Sequence, residues 1–160
     1  MTESVDRFTE IMNSPDPFVA RVIHGHLLVE EQLNRILDKH FDKHFDKNFK
    51  KKENFSADDL TCYRKIKLAK ALHFEEKDDK NWMLIEKINE LRNVVAHNVQ
   101  SPKLESKMDA IEVLVCANGI DRFLKENHPV DFAYHTAWIA FAWAYGFLEK
   151  LDQSEPASGG

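Results

Sequence analysis

A short stretch of this sequence carries three side chains that together could cleave RNA. They are Arg92, Asn93 and His97, with only Val94, Val95 and Ala96 between the last two. Histidine titrates near neutral pH, so His97 could take a proton from a ribose 2'-hydroxyl or return one to a leaving oxygen. Arg92 could neutralise the charge that builds on the phosphate, and Asn93 could orient the imidazole or hold the phosphate. Because the 2'-hydroxyl of the RNA is the nucleophile, the reaction needs no metal ion and no cofactor.

Helical geometry limits how one copy of the chain could use this group. Asn93 and His97 are four residues apart, so they share one face of a helix. Arg92 and His97 are five residues apart and project roughly 140° from each other on an ideal helix. The length of the arginine side chain closes part of that gap, and a second copy related by a two-fold axis could supply the rest. The spacing is therefore compatible with a site that two copies of the helix share.

The apolar residues recur at helical spacing and predict an all-α bundle of four to five helices. The first helix begins at Asp16 and Pro17, and the second opens at Ser56 with Asp59 as a capping residue. The first predicted helix runs from about 16 to at least 41, and the other four cover about 56–72, 81–97, 102–126 and 131–151. The helical domain is predicted to span 16–152, between an N-terminal polar segment, 1–15, and a flexible tail, 153–160.

The motif Arg92-Asn93-x-x-x-His97, late in the third helix of a small bundle, resembles the R-x4-6-H signature of the HEPN superfamily. The resemblance implies a helical bundle that dimerises so that the two signature helices line a shared cleft. Many members are metal-independent endoribonucleases of toxin–antitoxin, abortive-infection and CRISPR systems. It therefore implies that Arg92 and His97 are the catalytic pair, that Asn93 assists them, and that an antitoxin or defence-complex protein is a partner.

The first predicted helix also resembles a subset of these domains that includes mannitol-repressor-like proteins. In several HEPN groups an acidic or polar residue of an early helix supports the site, which makes Glu30 or Glu31 the candidate here. His26 shares a helix face with Glu30, so the two could form a buried hydrogen-bonded pair or line the cleft. One departure from the family is that His97 is followed by Asn98 and Val99, whereas toxins of HEPN–nucleotidyltransferase pairs often carry H-x-Y.

Two other interpretations of the motif remain open. Arginine, asparagine and histidine near the end of a helix can simply bind its last carbonyl groups and complement its dipole. In that case the chain would be a non-catalytic HEPN-like regulator or protein-interaction module, of the mannitol-repressor-like kind. A third hypothesis is an antitoxin or a nucleotide-binding partner.

The charge distribution argues against a protein that coats nucleic acid but allows a local contact. The formal net charge is -5 and the sequence pI is about 5.9. A basic run with phenylalanine every fourth residue is predicted to extend the first helix, and it is the best candidate for contacting RNA phosphates. Its candidate RNA-binding residues are Lys43, Lys47, Lys50 and Lys51. The alternative is that these phenylalanines pack inward and the lysines face water.

Few features point to a metal or a membrane. His40 and His44 are four residues apart, but no third ligand is evident, so we predict no metal site. The segment from Phe132 to Leu148 is at the short limit for a membrane span, and its many small residues favour a buried core helix. The N-terminus is acidic and polar, with no apolar segment of a signal peptide. These features predict a cytoplasmic protein whose partners are RNA and a second copy, with no membrane.

Overall fold

The computed structural model describes residues 18–44, 56–97, 101–115 and 126–154, and these ranges contain helices and no strand. The all-α prediction is confirmed. The principal helices of the described ranges are α1 (Phe18–His44), α2 (Cys62–His73), α3 (Asp79–His97), α4 (Lys103–Val115) and α5 (Pro129–Gln153). Short 3-10 turns, Ala57–Asp59 and Glu76–Asp78, precede α2 and α3.

The longest helix, α1, is the centre of the bundle. It packs against α5, α3 and α2, and α4 covers α3 and α5 from the other side. Its buried residues recur every three or four positions, so one face of the helix enters the core. The largest fully buried side chains come from α1, α2, α3, α4 and α5 together: Trp82, Phe141, Leu33, Leu37, Ile66, Leu84, Ile85, Ile88, Leu91, Ile111 and Leu148.

The connection into α2 differs from the sequence prediction. Ser56 and Asp59 do form the predicted capping box, but they cap the 3-10 turn Ala57–Asp59 rather than an α-helix. Leu60 then takes an extended conformation that interrupts the helix, and α2 restarts behind Thr61, whose hydroxyl accepts from the backbone N–H of Arg64. The position at which α2 begins, directly after Thr61, determines which part of α1 its first turn packs against.

Side chains of α1 hold that turn in place. The Asp38 carboxylate accepts from the backbone N–H of Ala57 at 3.0 Å, and the amide of Asn34 donates to Asp58 at 2.8 Å. A backbone N–H bound by a carboxylate is a strong hydrogen bond, because the acceptor is charged. The start of α2 is therefore tied to the middle of α1, which places the α2 side chains opposite those of α1.

The fifth helix is a core helix, as its small residues predict. Phe141, Ala144 and Leu148 are buried at spacings of three and four residues along α5. Among the described residues, no helix combines the length and the apolar character needed to cross a bilayer.

Gly25 of α1 lies against the Phe141 ring of α5, and this contact gives a testable prediction. A Cβ atom at position 25 would lie 2.9 Å from Cγ of the buried Phe141 ring, whereas a Cβ at Gly146 of α5 would meet nothing within 4 Å. We expect Gly25→Ala to lower the free energy of unfolding by about 1–2 kcal/mol, since overpacking outweighs the helix propensity of alanine. The matched variant Gly146→Ala should raise it by up to about 1 kcal/mol.

Urea unfolding of both variants, followed by circular dichroism, measures these two changes. If Gly25→Ala is as stable as Gly146→Ala, then α1 and α5 do not approach each other as described.

Candidate functional site

An open groove of about 500 Å³ lies between α1, the start of α2 and α3. Most of the side chains around it are polar, in contrast to the apolar core beside it. Its lining residues are His26, Glu30, Asp58, Leu60, Thr61, Cys62, Tyr63, Lys65, Asn89, Arg92 and Asn93. A concave site with several convergent polar groups is where a ligand or a reaction is expected first.

A buried ion pair forms one wall of the groove. Lys65 of α2 is buried, with a side chain only 3% exposed, and its ammonium group donates to Glu30 Oε1 at 2.8 Å. A carboxylate oxygen of the exposed Asp58 lies 3.7 Å from the same nitrogen. A buried ammonium group without a partner would cost several kcal/mol. Glu30 therefore holds the Lys65 charge, and Lys65 in turn orients the Glu30 carboxylate.

The imidazole of His26 and the thiol of Cys62 lie next to each other in the groove. His26 is buried, and its Nε2 lies 3.1 Å from Oδ1 of Asn89; because that oxygen only accepts, Nε2 carries the proton. Sγ of Cys62 lies 3.4 Å from the same nitrogen. Burial lowers the pKa of His26, although the hydrogen bond to Asn89 and the charge of Glu30 oppose this. Burial, together with Glu30, raises the pKa of the Cys62 thiol to about 12.

Arg92 and Asn93 form the opposite wall, on α3. Arg92 is half-buried, and its guanidinium donates to Oδ1 of the exposed Asn93 at 3.2 Å. Within the described parts of the chain, no carboxylate lies at ion-pair distance from this guanidinium, unlike the ammonium of Lys65. Arg92 therefore keeps most of its hydrogen-bond donors available for a ligand in the groove.

The third residue of the motif lies elsewhere. His97 is the last residue of α3, is exposed, and does not line the groove. The helix itself accounts for the separation: five residues of rotation carry His97 away from the face that holds Arg92, and one further turn along the axis carries it past Asn93, to the end of α3. One copy of the chain thus brings Arg92 and Asn93 into the groove and leaves His97 outside it.

The other predicted site residues also fall into two groups, those that line the groove and those that do not. His26 and Glu30 line the groove, whereas Glu31, one residue further along α1, does not. Lys43 lies by a different cavity, at the far end of α1. Lys47, Lys50 and Lys51 lie outside the described residues, as does the predicted start of the first helix at Asp16 and Pro17.

The groove residues that the sequence analysis missed include Cys62, Lys65 and Asn89, whose side chains contact His26 or Glu30. Two of them left a signal in the sequence. Lys65 precedes Leu68, Ala69 and Leu72 at core spacing, and Asn89 stands seven residues after Trp82 and four after Ile85, so both are polar residues on apolar faces. A polar residue at a core position needs a buried partner, which marks it as a candidate for a polar site.

A second cavity, of about 280 Å³, lies at the other end of the bundle between α1, α2 and the end of α5. It is lined by basic and titratable side chains together with Asp152, whose carboxylate forms an ion pair with Lys39 at 2.8 Å; the ammonium group of Lys39 donates to the backbone carbonyl of the same residue. The lining residues are Ile36, Lys39, His40, Lys43, His73, Leu151, Asp152 and Ser154. Burial lowers the pKa of His73, and burial together with His44, His73 and Lys43 lowers the pKa of His40.

These two histidines predict a loss of stability on mild acidification. Because their pKa values are lower in the folded than in the unfolded chain, protonation favours unfolding. Their contribution to stability is complete above about pH 6.5, the ordinary pKa of histidine, and falls as the pH drops through the lowered values. Between pH 7.5 and 5.5 the melting temperature should fall, and it should fall less in the variant with both His40→Gln and His73→Gln.

Thermal unfolding at several pH values between these limits provides the test, since most carboxylates remain ionised there. The single variant His24→Gln, in an exposed histidine of α1, is the control and should follow the wild-type slope. Equal slopes for the double variant and the wild type would contradict the prediction.

Comparison with known proteins supplies no relative for this chain. No protein-family model, no curated protein and no solved structure matches it significantly. The case for a function therefore depends on the groove and on the motif residues around it.

Proposed function

We propose that this chain is a metal-independent HEPN-type endoribonuclease that acts as a homodimer. The observation that carries the proposal is the position of Arg92, a half-buried guanidinium in an open polar groove with no carboxylate partner among the described residues. A guanidinium in this state is suited to bind a phosphate oxygen through two parallel hydrogen bonds. The resemblance of the Arg92–His97 motif to the HEPN signature supports RNA as the source of that phosphate.

The exposed residues at the C-terminal end of α3 support the proposal that two copies of the chain form one active site. Asn93, Ala96 and His97 are all exposed, and they lie three and four residues apart on one face of the helix. The small Ala96 side chain allows a second α3 to approach closely along this face. A two-fold axis there would bring His97 of one copy toward Arg92 of the other.

The chemistry is a transfer within the RNA. The ribose 2'-oxygen forms a bond to phosphorus and gives its proton to one His97 imidazole, while the bond from phosphorus to the 5'-oxygen breaks. The leaving oxygen takes a proton from the His97 imidazole of the other copy, and a 2',3'-cyclic phosphate and a 5'-hydroxyl remain. Arg92 neutralises the charge that builds on the phosphate oxygens, and Asn93 holds the guanidinium in place.

Cleavage of single-stranded RNA in the presence of EDTA tests this proposal. We expect products with 2',3'-cyclic phosphate ends, a dimer by light scattering, and loss of cleavage in His97→Ala with unchanged helicity. His135→Ala, in an exposed histidine of α5 that does not line the groove, is the matched control and should cleave as the wild type does. Cleavage that persists in His97→Ala would overturn the proposed role of the imidazole.

A non-catalytic interaction module is the second candidate, and the exposure of His97 outside the groove favours it. A module of this kind would be a regulator or a subunit of a defence complex, and it would bind its partner without cutting RNA. A folded dimer that cleaves no RNA at any pH between 5 and 9 would support this alternative. A gene for an antitoxin or a nucleotidyltransferase beside the gene for this chain would instead favour a toxin.

A further inference from the structure

Three potential metal ligands meet at the bottom of the groove, from two helices. His26 and Glu30 are four residues apart on the same face of α1, and Cys62 is the first residue of α2. One ligand atom of each residue lies within 4.8 Å of a ligand atom of the other two. Imidazole nitrogen, carboxylate oxygen and thiolate sulfur are the three ligand types that proteins use for zinc.

We propose that His26, Glu30 and Cys62 bind a zinc ion, whose fourth ligand is a water molecule from the groove. The proposal goes beyond the proposed function, because neither Arg92 nor His97 is among the ligands. Three protein ligands and one open position are the arrangement of reactive rather than purely structural zinc sites. The mixed nitrogen, oxygen and sulfur set favours zinc over the hard cations magnesium and calcium, which prefer oxygen alone.

The distances around His26 fit a shared ion. Sγ of Cys62 lies 3.4 Å from Nε2 of His26. Neighbouring sulfur and nitrogen ligands of a tetrahedral zinc ion are expected roughly 3.5 Å apart, from zinc–ligand lengths of about 2.3 and 2.0 Å. Oδ1 of Asn89 lies 3.1 Å from the same nitrogen, so a carbonyl oxygen also faces this position. A carboxylate oxygen of Glu30, within 4.8 Å of the ligand atoms of His26 and Cys62, completes the set.

The groups behind the ligands are those that support metal sites in general. Lys65 donates to Oε1 of Glu30 at 2.8 Å, so the other carboxylate oxygen, Oε2, is the one left to bind the ion. Hydrogen bonds of this kind orient metal ligands and tune their basicity. When zinc binds, the Cys62 thiol releases its proton to solvent, and the ring proton of His26 moves from Nε2 to Nδ1. The helix dipole at the start of α2 stabilises the thiolate that forms.

Metal retention by the purified full chain tests the site without reference to RNA. The protein is stripped with EDTA, dialysed against zinc and then against buffer, and its metal content is measured. We expect about one zinc ion per chain in the wild type, and less than a tenth of this in Cys62→Ser and in His26→Gln. With cobalt in place of zinc, the wild type should show a thiolate-to-cobalt absorption band that Cys62→Ser lacks.

Matched controls keep the test specific. Cys116→Ser removes the other cysteine, and His24→Gln removes an exposed histidine of the same helix; both should retain the wild-type zinc content. Circular dichroism checks that each variant is folded, and Cys62→Ala replaces Cys62→Ser if the serine does not fold. The proposal is overturned if the wild type retains no zinc, or if it retains zinc equally without Cys62 and His26.

The outcome is independent of the RNA-cleavage assay. If the protein cleaves RNA in EDTA but retains no zinc, the zinc-site proposal is excluded and the nuclease proposal is supported. If the protein retains zinc but cleaves no RNA, the zinc-site proposal is supported and the nuclease proposal is excluded.

Discussion

Arg92→Ala should reduce RNA cleavage by about 10²–10³-fold, the usual effect of removing one group that stabilises transition-state charge. Arg92→Lys should recover only part of the loss, because an ammonium group cannot bind two phosphate oxygens with the parallel geometry of a guanidinium. Initial cleavage rates of a labelled RNA, measured in EDTA at saturating and at limiting RNA, separate a defect in catalysis from a defect in binding.

The same substitution should leave the fold intact, which makes the activity result interpretable. The only hydrogen bond found for Arg92 within the described residues is to the exposed Asn93, so little stability depends on it. Lys77→Ala, which removes an exposed cation outside the groove, is the control and should not change cleavage. If Arg92→Ala and Lys77→Ala cleave RNA at the same rate, Arg92 does not act on the phosphate.

Trp82→Ala should lower the free energy of unfolding by about 4 kcal/mol, the largest effect expected of a single core substitution here. Trp82 is completely buried near the start of α3, and its ring meets Phe147 of α5 edge-on, with 5.3 Å between the ring centres. Truncation removes this contact and leaves a cavity that neighbouring helices fill only in part. The measurement is urea unfolding. If the free energy of unfolding depends on urea concentration as steeply in the variant as in the wild type, the substitution has changed stability and not the compactness of the unfolded or folded state.

Trp82→Phe separates packing from hydrogen bonding at the same position. The indole Nε1 of Trp82 is buried and has no hydrogen-bond partner among the described residues. Phenylalanine removes this buried, unpaired N–H group, which itself lowers stability. The free energy of unfolding should therefore fall by only about 1–2 kcal/mol. A loss as large as that of Trp82→Ala would mean that the indole N–H is bound after all.

The helices themselves follow from local information in the sequence. Apolar residues at helical spacing predicted the all-α class and most of each helix that the structure describes, because a helix forms from contacts within a few residues. The prediction missed the interruption at Leu60. Ser56 and Asp59 satisfy the capping box of a 3-10 turn as well as that of an α-helix, and the hydrogen bonds of this turn to Asp38 and Asn34 form only in the folded chain.

The sequence alone determined that Arg92 and Asn93 are neighbours and that His97 projects to another side, since both depend only on the rotation of one helix. It also placed His26 next to Glu30. Packing alone decided what those side chains face: Lys65 reaches Glu30 from 35 residues away, and Asn89 reaches His26 from 63. Pairs so distant in the chain meet only when the apolar faces of α1, α2 and α3 are buried against one another, so the groove is a product of the tertiary structure.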